Sequence, residues 1–191
     1  MVSRVLMICL VCLFCWGSIC FADENEQEDS EVYRYYVVIY NDVLRANPQH
    51  GAVWADWSAR AIIYFCQKWQ VSPLLAAANF HIESNYTMES ISKTGARGVA
   101  QLMPGTAKML GITNIDDPMQ NIEGGIMYLA QQLDTFRQYG DMRTTYAIAA
   151  YNAGPQAIKD YRGLPPYRET INHVERVRVV LERLVLEYNG I

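Results

Sequence analysis

Apolar residues recur along this chain with the three-to-four-residue spacing of α-helices, and almost nowhere with the two-residue alternation of half-buried strands. One amphipathic stripe ends at Asn47-Pro48, and a second one follows it. The first consists of Tyr33, Tyr36, Val37, Tyr40, Val43 and Leu44, and the second of Trp54, Trp57, Ala61, Tyr64 and Phe65. We interpret both as helices that face a core rather than as aromatic binding surfaces.

A third helix is predicted to begin at Pro73, because Ser72 is a good N-cap residue and proline suits the first helical position. Its apolar run ends on Glu83, and the residues 85–87 stop the periodicity. The carboxylate is therefore expected at the rim of the core, where partial burial raises a carboxyl pKa toward the range of a general acid. An ordinary solvated carboxylate at a helix end remains the alternative.

Glycine and proline divide the rest of the chain into further elements. Residues 90–98 are rich in turn formers and predict a loop whose glycines allow close approach to a ligand. Helical segments are then expected at residues 99–103, 106–110, 122–136, 144–151, 155–161 and about 168–187. This succession predicts an all-α fold in one compact multi-helix domain, without internal repeats.

Residues 1–22 have the layout of a secretory signal peptide: a short basic start, an apolar run from Val5 to Cys20, and Ala22 before Asp23. The apolar run is too short to span a bilayer comfortably. We expect cleavage after Ala22, with an uncleaved anchor as the alternative. The protein is thus expected to be exported.

Charge is distributed unevenly along the chain. Residues 23–31 hold six acidic residues and no basic one, which predicts a solvated acidic leader. From residue 32 onward acidic and basic residues nearly balance, and no basic stripe is present. Nucleic acid is therefore not an expected partner.

The cysteines and histidines argue against a disulfide or a metal site. Outside the signal segment only Cys66 remains, so no intramolecular disulfide is expected. Cys66 lies in an apolar run and is predicted to be a buried small hydrophobe. The three histidines, His50, His81 and His173, are dispersed without the spacing of a zinc site. We expect no cofactor.

Polar residues interrupt three stretches of small or apolar residues, at 98–104, 150–155 and 166–170. Gln101 and Asn152 offer amides, and Tyr151 offers a hydroxyl on a flat ring. These groups suit an uncharged, N-acetylated sugar better than a phosphate or a metal. Helix capping by the amides and a core position for Tyr151 are the alternatives.

Four short motifs occur in a distinctive order. They are Glu83-Ser84, Gly98-x-x-Gln101-x-Met103-Pro104, Ala150-Tyr151-Asn152-Ala153-Gly154, and Glu169-Thr170. Together they resemble the signature series of the soluble lytic transglycosylases, the family related to goose-type lysozyme. The resemblance implies a lysozyme-like α-domain, which we place at residues 71–188, preceded by N-terminal helices at residues 32–70.

The resemblance also implies roles for individual residues. Glu83 would be the single catalytic carboxylate, and Ser84 would orient it. Further roles are cleft lining by Gln101 and Met103, sugar binding by Tyr151 and Asn152, and loop hydroxyls from Ser92 and Thr94. Other acidic residues are better explained by helix capping; they are Glu89, Asp116, Asp117 and Glu123.

The implied activity is that of a peptidoglycan lytic transglycosylase, which cleaves the bond between N-acetylmuramic acid and N-acetylglucosamine and leaves 1,6-anhydro ends. One carboxylate suffices if the sugar's own N-acetyl group does the work of a second. A lysozyme-like hydrolase and a non-catalytic wall-binding assembly protein are the alternatives. Together with the signal segment, the resemblance implies the periplasm of a bacterial cell envelope as the location. Glycan strands are the expected partner of a monomeric protein, and the resemblance also allows a secretion or conjugation apparatus as a partner.

The chain departs from the family pattern at His173, where the family usually has a tyrosine that reaches the catalytic site. We predict that His173 lies near Glu83. Since histidine normally titrates near neutral pH, this substitution is expected to influence the pH optimum.

Overall fold

The fold is described for residues 27–191, from a computed structural model. Helix α1 spans residues 27–46 and is followed by a 3-10 turn at Pro48–His50. The later helices are α2 (Gly51–Trp69), α3 (Pro73–Ser84), α4 (Pro104–Met109), α5 (Pro118–Thr135), α6 (Arg143–Ala153), α7 (Pro155–Asp160) and α8 (Arg168–Asn189), with a 3-10 segment at Arg137–Met142. Only isolated β-bridges occur within residues 27–191, and no strand does, so the all-α prediction is confirmed.

Proline and capping residues set the starts of several helices, as the sequence predicts. Helices α3, α4, α5 and α7 each begin with a proline. Asp117 is the N-cap of α5, where its side chain accepts a hydrogen bond from the Gln120 amide at 2.9 Å. Ser72 is the N-cap residue of α3, but its side chain makes no capping hydrogen bond. Local chemistry therefore accounts for where these helices start.

The helix expected at residues 99–103 is not formed, and that prediction is wrong. Arg97 and Leu102 exchange backbone hydrogen bonds of 2.9 and 3.0 Å across a tight turn. Inside this turn Gly98 and Gln101 have φ values of +77° and +46°. Such left-handed conformations interrupt a right-handed helix. Arg97 and Leu102 bond to each other, so their backbone groups are not available for the hydrogen bonds of a helix.

The core is built where α3 is enclosed by its neighbours. Helix α3 packs most extensively against α8, while α5 packs against both α6 and α2. At Gly125 of α5, an added Cβ would lie 2.4 Å from the Ala100 Cβ and 2.8 Å from the Phe80 ring. Glycine is needed there because α3, α5 and the turn at residues 97–102 approach one another so closely.

Some side chains assigned to the core stripes are not buried. Tyr33 and Tyr64 are both exposed, so their assignment to core-facing stripes is wrong. Cys66 is buried, as predicted, and burial raises the pKa of its thiol. It therefore behaves as a small apolar residue rather than as a nucleophile.

Residues 35–191 form one compact unit. Residues 27–34 are helical and mostly exposed, and the acidic residues at 28, 29 and 31 are among the exposed ones. The predicted signal segment at residues 1–22 lies outside the described residues. Among residues 27–191, no helix has the length and apolar character needed to cross a membrane.

Candidate active site

Glu83 lies in the last turn of α3, which ends where Asn85 adopts a left-handed conformation with φ of 52°. Its side chain is 14% exposed. Burial raises the pKa of Glu83 to about 8, the charge of Glu169 adds to that rise, and Arg176 opposes it. A carboxyl with this pKa holds its proton at neutral pH and can give it to a ligand.

His173 lies on α8, with its Nε2 atom 3.7 Å from Oε1 of Glu83. The predicted proximity of these two side chains is therefore confirmed. Nε2 is buried and has no hydrogen-bond partner within the described part of the chain. Burial, with the nearby charge of Arg176, lowers the pKa of His173 to about 4. The expectation that His173 titrates near neutral pH is wrong, because desolvation disfavours the imidazolium.

A cavity of about 240 Å³ lies between α6 and the segment that follows the turn at residues 97–102. Four residues predicted from the motifs line it, namely Gln101, Met103, Tyr151 and Asn152. The other lining residues are Leu102, Thr106, Tyr128, Ala153 and Gly154. The fold thus brings two motifs about fifty residues apart in the sequence onto one concave surface, as ligand sites generally require.

Glu83 does not line this cavity, and Tyr151 is the lining residue on which its charge acts. The Tyr151 hydroxyl donates a 2.7 Å hydrogen bond to the carbonyl oxygen of Ala100, the residue before Gln101 in the turn at residues 97–102. Burial raises the pKa of Tyr151, and the negative charge of Glu83 raises it further. The Tyr128 ring packs against Tyr151 with 5.1 Å between ring centroids. Tyr151 is therefore a rigid wall of the site.

Asn152 is held from α8. Its Oδ1 atom accepts a hydrogen bond of 2.9 Å from the hydroxyl of Thr170, a buried residue one helical turn before His173. This contact leaves the amide nitrogen of Asn152 as the donor on that side chain. The Glu169-Thr170 motif thus affects two residues of the site. Thr170 orients Asn152, and the charge of Glu169 raises the pKa of Glu83.

The predicted serines make hydrogen bonds to the backbone. The Ser84 hydroxyl donates to the Val99 carbonyl at 2.8 Å and accepts from the Thr87 amide at 3.1 Å. It therefore ties the end of α3 to the turn at residues 97–102. Ser92 does not line the cavity; its hydroxyl accepts from the Ala96 amide at 2.9 Å and lies 3.0 Å from that of Thr94.

Asn121 is an important residue that the sequence analysis missed. It is fully buried on α5, and its Oδ1 accepts a 2.9 Å hydrogen bond from the Ala100 amide. Its Nδ2 donates to the carbonyl oxygens of Arg97 and Ile115, at 3.0 and 2.9 Å. Asn121 therefore fixes the turn that carries Gln101. In the sequence it is one polar residue near a helix start, and nothing local distinguishes it.

The other acidic candidates have structural partners. Asp117 caps α5, which confirms its interpretation as a capping residue. Asp116 forms an ion pair with Arg97 at 2.9 Å and Glu123 forms one with Lys68 at 2.7 Å, while Glu89 lies within hydrogen-bond distance of the His50 ring at 3.2 Å. No group of three potential metal-ligating side chains occurs among residues 27–191.

Sequence comparison places the site within a described family. The sequence model of the "Transglycosylase SLT domain" matches residues 60–174. The membrane-bound lytic murein transglycosylase F of Cellvibrio japonicus is 38% identical over 113 residues, which are 58% of this chain and 22% of that protein. The transglycosylase of Enterobacteria phage PRD1 is 44% identical over 87 residues, which are 46% of this chain and 31% of that protein.

Solved structures agree with this match. An inactive mutant of the lytic transglycosylase Slt from Pseudomonas aeruginosa superposes with a TM-score of 0.59 at 26% identity, covering 68% of this chain and 24% of that one. The 70 kDa soluble lytic transglycosylase from Escherichia coli gives a TM-score of 0.57 at 23% identity, covering 78% and 29%. The second likeness concerns the fold alone. In all four comparisons the matched region is less than a third of the other protein's length.

Proposed function

This chain belongs to the transglycosylase SLT domain family, and we propose that it is a lytic transglycosylase that cleaves the glycan strands of peptidoglycan. The observation that carries the proposal is a single carboxyl, Glu83, with a pKa raised to about 8 by burial, whose charge acts on Tyr151 in a cavity that Gln101 and Asn152 also line. This arrangement supports protonation of a glycosidic oxygen at neutral pH.

The reaction uses Glu83 twice. The protonated carboxyl gives its proton to the oxygen between N-acetylmuramic acid and N-acetylglucosamine while the acetamido oxygen closes on the anomeric carbon. The resulting carboxylate then takes the proton of the sugar's own 6-hydroxyl, whose oxygen attacks the anomeric carbon and displaces the acetamido oxygen. The product carries a 1,6-anhydro end, and Glu83 regains its proton.

The surrounding residues bind and orient the sugar. Gln101 and Met103 line the cleft, while Tyr151 and Asn152 contact the sugar beside the bond that breaks. Ser84 acts on Glu83 through the backbone, since its hydroxyl bonds to Val99 and Thr87. The hydroxyls of Ser92 and Thr94 stabilise their own loop instead, where Ser92 accepts a hydrogen bond from the Ala96 amide. His173 remains neutral beside Glu83.

The proposed setting is the bacterial cell envelope. Residues 1–22 direct export and are removed, residues 23–31 form an acidic leader, and the helices at residues 32–70 precede a catalytic domain at residues 71–188. The protein acts as a monomer on periplasmic glycan, either in general turnover or beside a secretion or conjugation apparatus. N-terminal sequencing of the exported protein is expected to begin at Asp23; a chain beginning at Met1 would identify an uncleaved anchor instead.

Product mass tests the proposed activity. We expect purified protein to release fragments with 1,6-anhydro ends from isolated sacculi, each lighter by one water than the corresponding hydrolysed fragment. Mass spectrometry distinguishes the two products directly. Fragments with reducing ends would instead identify a hydrolase, and intact glycan would identify a wall-binding protein.

The pH dependence follows from the pKa values of the two buried groups. Because free Glu83 must be protonated, kcat/KM is expected to fall as pH rises through about 8. His173, with a pKa lowered to about 4, causes no further change in kcat/KM between about pH 5.5 and 7.5. The measurement is kcat/KM from about pH 5.5 to about pH 9.5 for wild type and His173→Phe, a range that includes the fall near pH 8. A limb near pH 6.5 that disappears in His173→Phe would contradict this assignment.

A further inference from the structure

The chain reverses direction sharply just after Glu83-Ser84. Asn85 and Tyr86 both adopt left-handed backbone conformations, with φ of 52° and 58°. This conformation is uncommon for residues other than glycine and is strained for a bulky tyrosine. Two such residues in succession persist only where other contacts hold them in place. The reversal therefore needs support from outside α3.

Three side chains that hold the reversal come from earlier in the chain. The hydroxyl oxygen of the fully buried Tyr86 lies 2.7 Å from Asp42 Oδ2 and 2.9 Å from the Ala77 carbonyl oxygen, and its one hydrogen is shared between these two acceptors. The Tyr86 carbonyl oxygen accepts hydrogen bonds from Asn47 Nδ2 at 3.3 Å and Trp54 Nε1 at 3.0 Å. Asp42, Asn47 and Trp54 all precede residue 60, where the family match begins.

Asp42 also reaches α3 directly. Its side chain is fully buried, and Oδ2 lies 2.8 Å from Nδ1 of His81, two residues before Glu83. The Arg183 guanidinium of α8 donates to Oδ1 at 2.6 Å. Burial alone would raise the pKa of Asp42, but the hydrogen bonds from His81, Tyr86 and Arg183 hold it well below its usual range. Since an ionised carboxylate only accepts, Nδ1 of His81 carries the hydrogen.

We propose that Asp42, Asn47 and Trp54 form a brace that positions Glu83, with Asp42 as its central positioning residue. The brace contacts the chain on both sides of Glu83. It bonds to His81 within α3 and to Tyr86 just after α3 ends. This inference rests on the proposed role of Glu83 as the proton donor. It assigns a function to a part of the chain that the family match does not include.

The effect on catalysis comes from geometry. Glu83 must meet a glycosidic oxygen at hydrogen-bond distance, and a shift of about 1 Å in a reacting group can lower the rate by about 10²-fold. Asparagine in place of Asp42 has one acceptor oxygen instead of two, so either the pair Tyr86 and His81 or Arg183 faces an amide nitrogen that cannot accept. The strained reversal can then relax, and Glu83 at the end of α3 moves with it.

The test compares Asp42→Asn with Val43→Ala. Asn preserves the size of the side chain but removes its charge, whereas Val43→Ala removes buried apolar contacts on the same helix and leaves the brace intact. We expect Asp42→Asn to lower kcat by about 10-fold to 10²-fold with KM nearly unchanged. Val43→Ala is expected to keep kcat within about twofold at a temperature where both variants are folded by circular dichroism. Equal kcat values in the two variants would overturn the proposal.

A second variant covers the case in which Asp42→Asn does not fold. Trp54→Phe keeps an aromatic ring but removes the donor to the Tyr86 carbonyl. We expect a decrease in kcat of about 3-fold to 10-fold, in the same direction as Asp42→Asn, with KM nearly unchanged. A kcat equal to that of wild type in a folded Trp54→Phe protein would also overturn the proposal.

A readout independent of turnover separates this inference from the proposed function. Carbon-13 NMR titration of the Glu83 carboxyl is expected to give a pKa closer to the ordinary glutamate value in Asp42→Asn than in wild type, because a relaxed turn admits water. Val43→Ala should titrate as wild type does. If wild type released no anhydro fragments but this difference appeared, the proposed function would fail and the brace would stand. An unchanged Glu83 titration in Asp42→Asn would count against the brace whatever the reaction.

Discussion

Glu83→Gln is expected to lose glycan cleavage by about 10³-fold or more. Each proton transfer by a positioned side chain contributes about 10²-fold to 10⁴-fold, and Glu83 performs one in each half of the proposed reaction. Glutamine has nearly the same shape but can neither give nor take that proton. The measurement is release of anhydro-ended fragments from sacculi by mass spectrometry, with wild type and variant at equal concentration.

The stability of Glu83→Gln separates lost chemistry from unfolding. Burial raises the pKa of Glu83 from 4.5 to about 8, so the carboxyl stabilises the fold least when it is ionised. Its contribution is fully present below about pH 4.5 and is lost as pH rises through about 8. The neutral amide avoids this loss, so at pH 7 the variant should be more stable by about 3 kcal/mol. Thermal unfolding at pH 5 and pH 8 should show the gain growing with pH.

Glu123→Gln is the matched control for the single-carboxylate reaction. Glu123 pairs with Lys68 on the surface, so its loss should leave the release of anhydro fragments within about twofold of wild type. If cleavage survived in Glu83→Gln and disappeared in Glu123→Gln, Glu123 and not Glu83 would be the residue that transfers the proton.

Gly98→Ala is expected to destabilise the protein by about 3 to 5 kcal/mol and to lower activity in the fraction that folds. Its φ of +77° strains any residue with a Cβ, at about 1 to 2 kcal/mol. The new Cβ would also lie 2.4 Å from Nδ2 of Asn121. If Asn121 moves, buried backbone groups around the turn lose their partners, at about 1 to 3 kcal/mol each. Urea unfolding measures the difference.

Gly111→Ala is the control for backbone strain alone. Gly111 also has φ of +77°, but nothing lies within 4 Å of the Cβ it would acquire. We expect a loss of about 1 to 2 kcal/mol and unchanged activity. If the two alanine variants lost the same stability, Asn121 would not constrain the turn as the structure indicates.

Much of the fold follows from local sequence patterns. Proline at the first position and a capping Asp117 mark helix starts, because these effects act within one turn. The stretch at residues 99–103, which was wrongly predicted to be helical, is instead decided by a distant residue. That stretch has helical composition, but Ala100 pairs with Asn121, and no local signal contains a partner twenty-one residues away.

The sequence alone determined the helical class of the fold and singled out Glu83 with its accompanying motifs, because periodicity, capping and motif order can be read along one dimension. Only the tertiary structure decided the protonation of the site. Packing of α3 against α8 buries Glu83 beside His173, and this burial raises the pKa of the first and lowers that of the second. Desolvation depends on the elements that surround a group, so distant parts of the chain set the protonation state of Glu83.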